Sequence, residues 1–258
     1  MTIKRMMVLV SLICLGGLLL IAALSFVPTF SLEEWGMHIF RGTYVTVYYE
    51  AEEKAARDVF ALTEVENKRL AQKLGLEEPP SVNLYIYDKQ STFQTKKYGY
   101  VALVLSLDWY VGDNRGTNVL LTSPANPGKG HTYDEIKLTA LHELVHAYNY
   151  VINPNMRLWI NEGVALYLTN GDQPPSNPGG HVPTLAQTRS GNPLVFSQSN
   201  GYTYAQTYIE YLDRTYGWSK ILVLLQTGDF IDAFGVGEKD IYVAWLEAIN
   251  LTHNRPKE

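Results

Sequence analysis

Apolar residues fill the start of the chain almost without interruption, and only later do polar residues alternate with them. Lys4 and Arg5 precede an uncharged stretch of 22 residues, from position 6 to position 27. As a helix rising about 1.5 Å per residue, this stretch is long enough to cross a hydrocarbon core of roughly 30 Å. The pattern therefore predicts a membrane segment in residues 1–30 and a separate domain in residues 31–258.

Two interpretations fit this N-terminal segment, an uncleaved anchor and a cleaved signal peptide. A signal peptide usually has a shorter apolar region, about 7 to 15 residues, that ends in small residues. Ala23, Leu24 and Ser25 match that ending poorly, which favours a single-pass anchor. Basic residues precede the segment, and Glu33 and Glu34 follow it. We therefore expect a cytoplasmic N-terminus and an extracytoplasmic domain, which would be secreted if the segment is cleaved.

The first half of the domain combines strand and helix patterns. β-Branched and aromatic residues predict short strands at 43–49, 82–87, 100–107 and 119–122. Apolar residues at helical spacing predict a long helix over 51–74 and a short helix over 91–97. These elements indicate a small mixed sheet packed against a long helix.

Helical patterns dominate the second half. Thr132 and Glu135 have the spacing of a capping box, in which each side chain satisfies a free backbone N–H at a helix start. Helices are predicted over 133–151, 156–169, 202–216, 219–226 and 239–249. Residues 172–200 are rich in Pro, Gly, Ser and Asn, which predicts an irregular segment with a short helix near Leu185. The expected fold class is α+β, a small N-terminal sheet followed by a mainly helical half.

Composition narrows the possible partners and cofactors. Residues 31–258 contain 19 basic and 26 acidic side chains, a net charge of −7, whereas nucleic-acid binding depends on clustered Lys and Arg. We therefore expect no nucleic-acid partner. The single cysteine, Cys14, lies in the N-terminal apolar segment. This excludes an intramolecular disulfide and a zinc site built from cysteines.

The sequence His142-Glu-Leu-Val-His146 carries the clearest chemical signal. Residues four apart share one face of a helix, so His142 and His146 can each direct a ring nitrogen to one cation at roughly 2.0 to 2.1 Å. The pattern is typical of a helical zinc site whose glutamate is the general base. Glu143 lies beside the ligand face, where it can take a proton from a reacting water.

A catalytic zinc needs a third protein ligand and one open position. The best candidate is Glu162 on the next predicted helix, with 15 residues between it and His146. A turn at Asn153 and Pro154 allows the second helix to return to the first. Gly163 and Ala165 are small, which predicts close packing of these two helices near the ligand.

The stretches HELVHAY (142–148) and LWINEGVALY (158–167) together resemble the gluzincin metallopeptidases. The resemblance is specifically to the compact peptidase MA-like domains of bacterial membrane-anchored and secreted proteins. It covers about residues 40–250, with weaker similarity at 182–185 and 203–212. It implies a zincin-like domain with one Zn²⁺ ion on His142, His146 and Glu162, and with Glu143 as base and proton shuttle.

The same resemblance implies a downstream tyrosine near the oxyanion. Tyr204 matches that position best, and Tyr202 and Tyr208 are the alternatives. In one respect the chain departs from thermolysin-like enzymes, because Leu166 stands where they commonly have an aspartate that orients a zinc histidine. A backbone carbonyl, Asn161 or Thr139 is then expected to take that role.

The expected function is hydrolysis of peptide bonds outside the cytoplasm, with a peptide or protein as substrate and the membrane as a second partner. Strands 100–107 and 119–122 are candidates for pairing with an extended peptide. Two other functions remain open: a membrane-tethered zinc-containing binding or scaffold domain without turnover, and a zinc amidase that acts on a non-peptide envelope substrate. The sequence leaves the oligomeric state open.

Overall fold

The computed structural model describes residues 3–104, 107, 109–170 and 181–253. Its strands are His38–Arg41 (β1), Val45–Tyr49 (β2), Val82–Tyr87 (β3), Gly112–Arg115 (β4) and Asn118–Thr122 (β5). Its helices are Ile3–Ser25 (α1), Glu53–Lys73 (α2), Gln90–Tyr98 (α3), Tyr133–Ile152 (α4), Leu158–Thr169 (α5), Leu185–Thr188 (α6), Pro193–Gln198 (α7), Gly201–Tyr216 (α8), Trp218–Thr227 (α9), Phe230–Phe234 (α10) and Glu238–His253 (α11). Two 3₁₀ helices span Val27–Phe30 and Tyr100–Val104.

The five strands form one mixed sheet in the order β1-β2-β3-β5-β4. The central pairs β2–β3 and β3–β5 are parallel, and β1 and β4 pair antiparallel at the two edges. The parallel pairs follow from the helices between their strands, since a parallel connection needs a crossover. A mixed α and β architecture with a small sheet and a mainly helical second half is therefore confirmed.

The two faces of the sheet are covered differently because successive side chains point to opposite sides. Leu84, Ile86 and Leu121 belong to the large core that includes residues of α2, α4, α5 and α8. Tyr87 and Leu120 point the other way and pack with Phe93 of α3. Helices α2 and α4 thus lie on one face of the sheet and α3 on the other.

The predicted strand over 100–107 is wrong for its described part. Residues Tyr100–Val104 form a 3₁₀ helix, and residues 105, 106 and 108 lie outside the described part of the chain. Gly99 ends α3 with a φ of +76°, a conformation that glycine adopts without steric cost. The chain then turns along the end of α1, so these β-prone residues have no neighbouring strand in the described structure.

Strands β1 and β4 were not predicted. Strand β4 contains Asp113, Asn114 and Arg115, residue types with little preference for strands. Its position is set by antiparallel pairing with β5, in which Asp113 faces Leu120. An edge strand of this kind depends on its neighbour for its conformation, and the local sequence does not predict it.

In the helical half, α4, α5 and α8 pack together beside the sheet. A Cβ added to Gly163 would lie 2.6 Å from the carbonyl oxygen of Ala205 and 2.8 Å from Cγ1 of Ile209. Gly163 therefore allows α5 to approach α8 closely, a contact that the sequence analysis did not predict. The short helix near Leu185 is confirmed, whereas α7 and α10 were not predicted. Residues 171–180 of the predicted irregular segment lie outside the described residues.

The N-terminal helix α1 has the expected length and composition. Residues Val10–Phe30 form a stretch long and apolar enough to cross a membrane, and none of it is buried inside the protein. The exposed apolar side chains of this stretch distinguish it from a core helix, whose apolar face would be covered by the domain.

Candidate metal centre

Helix α4 begins at the predicted capping box. The backbone N–H of Glu135 donates to Oγ1 of Thr132 at 3.3 Å, and the backbone N–H of Thr132 donates to Oε2 of Glu135 at 2.8 Å. His142 and His146 are four residues apart on this helix, so their side chains lie on the same face of α4. Their Nε2 atoms lie 2.9 Å apart.

Helix α5 brings Glu162 to the same two histidines. Its Oε2 lies 3.3 Å from Nε2 of His142, and its Oε1 lies 3.5 Å from Nε2 of His146. One ligand atom from each of the three residues lies within 4.8 Å of those of the other two. The structure thus brings together the three residues that the sequence predicts as metal ligands.

The donor set fits a divalent cation. Ligands about 2.0 to 2.1 Å from a tetrahedral zinc are about 3.3 Å from one another, close to the separations found here. Oε2 of Glu162 and Nδ1 of His146 are buried without a hydrogen-bond partner in the described structure. A buried carboxylate oxygen left unsatisfied is costly, and a cation between the three side chains would remove that cost for Glu162.

Charge and burial act in opposite directions on these groups. Burial acts to raise the pKa of Glu162, but the imidazoles of His146 and His142 outweigh it and hold that pKa below its ordinary value. Burial also acts to lower the pKa of His146, but Glu162 and Glu143 outweigh it and raise the pKa to about 9. Burial and the neighbouring His146 lower the pKa of His142.

Glu143 lies beside the cluster and is almost fully buried. Burial, with the nearby charges of Asp113 and Glu162, raises its pKa to about 8, although His146 acts in the opposite direction. Gly112 of β4 approaches it closely, since a Cβ there would lie 3.0 Å from Oε1 of Glu143. Proton-transfer groups work best with a pKa near the working pH, so Glu143 is suited to accept and return a proton.

A partly buried ion pair lies on the opposite wall of the cleft, and the sequence analysis did not predict it. Nζ of Lys97, at the end of α3, lies 2.6 Å from Oδ2 of Asp113 on β4. Burial raises the pKa of Asp113, and Lys97 opposes that shift. The sequence does not indicate this ion pair. Strand β4 was not predicted, and nothing in the sequence of α3 shows which strand Lys97 would contact.

The cluster opens into a cleft of about 980 Å³. The cleft is lined by α4, α5 and β4 and also by Trp109 and Tyr202. Tyr204 does not reach it: its ring is buried and packs edge-on against Trp245, 6.1 Å away. Tyr208 likewise packs against Trp245, at 5.1 Å. Of the three tyrosines considered for the oxyanion, the structure brings only Tyr202 to the cleft.

Thr139 and Asn161 are the two side chains considered for orienting a histidine of the candidate metal site, and their hydrogen bonds differ. Oγ1 of Thr139 donates to the carbonyl oxygen of Glu135 at 2.9 Å, so its hydroxyl is already used within α4. Asn161 lies close enough to His146 to contribute to raising its pKa. Its Oδ1 accepts a hydrogen bond of 2.8 Å from Nδ2 of Asn149, which fixes the amide. Asn161 is therefore the better placed of the two.

No model of a known protein family matches the chain. No curated protein matches it either. The function of the site must therefore be inferred from its own residues and geometry.

Proposed function

We propose that the chain is a membrane-anchored zinc metallopeptidase of gluzincin type. The observation that carries the proposal is the meeting of His142, His146 and Glu162 from two helices, with Glu143 buried beside them at the wall of an open cleft. A fold of zincin type, with α4 and α5 as the metal-binding helices, is part of the proposal. So is the resemblance to peptidase MA-like domains.

The proposed reaction is hydrolysis of a peptide bond. A zinc ion on the three ligands would supply Lewis acidity, which activates water and polarises the carbonyl of the substrate. A carboxylate oxygen of Glu143 accepts the proton that the attacking water loses and then delivers it to the leaving amine. The hydroxyl of Tyr202, on the cleft wall, donates a hydrogen bond to the developing oxyanion. Water adds across the C–N bond, so the products are a carboxylate and an amine.

The position of the domain is a second part of the proposal. Helix α1 would remain in the membrane as a single-pass anchor, with the basic N-terminus in the cytoplasm and the cleft outside it. Support comes from the length and the exposed apolar surface of the segment. Cleavage of the segment would instead give a secreted enzyme with the same site.

The test compares the zinc-loaded full-length protein, in detergent, with its Glu143→Gln and His142→Ala variants on a diverse peptide library, with products identified by mass spectrometry. Glu143→Gln should keep one zinc and lose turnover by several orders of magnitude, because only the proton acceptor is removed. His142→Ala should lose both zinc and turnover. His131→Ala, which changes a histidine just before α4 that does not line the cleft, is the matched control and should behave like the wild type.

Each alternative function predicts a different result in the same experiment. Cleavage by zinc-loaded Glu143→Gln at the wild-type rate would overturn the mechanism. A protein that binds one zinc and cuts no peptide would point instead to a binding domain, or to an amidase if it released product from non-peptide envelope amides.

A further inference from the structure

An apolar surface surrounds the point where α1 joins the domain. It is formed by the 3₁₀ segment Tyr100–Val104, which follows Gly99, and we call this segment the apolar collar. Apart from Ala102, all of these residues are exposed, and Val104 is 82% exposed. Clusters of exposed apolar residues on a folded domain commonly mark an interaction surface.

The chain between α1 and the sheet is fastened to the domain. Nη1 of Arg115, on β4, donates to the carbonyl oxygen of Thr29 at 2.7 Å. Nζ of Lys96, on α3, donates to the carbonyl oxygen of Ser31 at 2.8 Å and lies 2.6 Å from Oε1 of Glu34. These contacts hold residues 29–34 against α3 and β4, so they do not form a free tether.

The collar itself lies directly at the end of the anchor. A Cβ added to Gly99 would lie 2.3 Å from the carbonyl oxygen of Ser25, the last residue of α1. Gly99 also begins the turn into the 3₁₀ segment Tyr100–Val104. The exposed side chains of that segment therefore begin next to the last residue of α1.

We infer that the apolar collar is a second membrane contact and that it inserts into the interfacial layer of the bilayer beside α1. The inference rests on the proposed retention of α1 as an anchor. A lipid occupant is favoured because the collar begins next to the apolar helix α1. The contacts of residues 29–34 with α3 and β4 also keep the domain, and with it the collar, close to the end of α1. Tyrosine and aliphatic side chains suit the bilayer interface.

This contact determines what can reach the cleft. Lys97 and Tyr98 line the cleft, and the next residue, Gly99, lies against the end of α1. One turn of chain therefore separates the cleft wall from the membrane contact. The substrates favoured by this arrangement are peptide segments at the membrane surface, such as juxtamembrane segments of other membrane proteins, and not proteins diffusing freely in solution.

The test uses the full-length chain in vesicles of phosphatidylcholine and phosphatidylglycerol. With Cys14→Ala as background, a single cysteine is introduced as Val104→Cys or Val65→Cys and labelled with an environment-sensitive fluorophore. Val65 is the matched control, because it is an apolar residue 75% exposed on α2, on the opposite face of the sheet from α3. Aqueous iodide and lipids carrying a quencher near the top of the acyl chain report on each label, and carbonate extraction reports on the anchor.

For Val104→Cys we expect several-fold weaker quenching by iodide than for Val65→Cys, together with quenching by the labelled lipid that Val65→Cys does not show. Retention in the membrane with equal iodide quenching of both labels would overturn the collar contact and leave the anchor intact. Release by carbonate would overturn the anchor and the collar together. The readout needs no zinc and no activity, so failure of the peptidase proposal would not affect it.

Discussion

The carboxylates on the two sides of the cleft have different neighbours. The sheet side is formed by β4, and the helix side is formed by α4 and α5. On the sheet side, Asp113 has its own cation, because Nζ of Lys97 lies 2.6 Å away. On the helix side, no Lys or Arg of the described residues forms an ion pair with Glu143 or Glu162. Lys97 acts on Glu143 only as a more distant charge, with a smaller effect on its pKa than that of His146. A buried charge must be paired to be tolerated. The sheet side is thus complete in itself, whereas the helix side would be completed by the proposed metal ion.

The largest expected effect concerns Tyr202 and Tyr204 of α8, because only Tyr202 lines the cleft. Tyr202→Phe removes a hydroxyl that lines the cleft, and we expect kcat to fall by about 10²-fold, in the range measured for loss of one oxyanion donor. Tyr204→Phe removes a hydroxyl from a ring buried against Trp245, and kcat should stay within a few-fold of wild type. Steady-state kinetics on one peptide substrate checks both. A larger loss in the Tyr204 variant, at equal zinc content and melting temperature, would restore the original assignment of Tyr204.

Breaking the ion pair on the sheet side should cost stability. Lys97→Met leaves the Asp113 carboxylate buried without its cation, and we expect the free energy of unfolding to fall on the order of 2 kcal/mol, between the values typical of exposed and buried pairs. Lys137→Met is the control, because Lys137 pairs with Asp134 at the surface of α4 at 2.8 Å. Its effect should be a few tenths of a kcal/mol. Equal effects of the two variants in chemical denaturation would contradict the role of Lys97 as the cation that Asp113 requires.

A third prediction concerns the pH dependence of the metal-free protein. The pKa of Glu143 is about 8 in the fold, raised mainly by burial from an ordinary value of 4.5. An acid with a raised folded pKa contributes its full stability below the unfolded value and loses it as pH rises through the folded value. The metal-free protein should therefore lose stability from about pH 4.5 to about pH 8.

Glu143→Gln cannot ionise, so it should flatten this decline. In the presence of a chelator we expect it to melt several degrees higher than the wild type at about pH 8 and at a similar temperature at about pH 5. His146 has its pKa raised to about 9 and adds a decline of the same sign, so part of the slope should remain. Parallel curves for the two proteins would show that Glu143 is not the group responsible.

Much of the helix side was predictable from the sequence because its interactions are local. The two capping-box residues are three positions apart and the two histidines are four positions apart, separations over which a helix fixes geometry by itself. Glu162 was also predictable, since a short turn leaves a returning helix few alternatives. The apolar N-terminal segment needed only its length and composition.

Tyr202 and Tyr204 mark the limit of such reasoning. Two residues apart, they lie on nearly opposite sides of α8, at 3.6 residues per turn. Both sides carry aromatic and apolar residues, so the sequence alone did not indicate which side would face the cleft. The choice followed from the packing of Trp245 of α11 and Gly163 of α5 around α8.

The sequence by itself determined the apolar N-terminal helix, the placing of two histidines on one face of α4 and most helices, because each depends on residues near one another in the chain. Only the tertiary structure decided the edge strand β4, the pairing of Lys97 with Asp113, the position of Tyr202 and the apolar collar beside α1. Each of these joins residues that are distant in sequence. The partner of such a residue depends on how separate elements pack, and no local pattern along the chain specifies it.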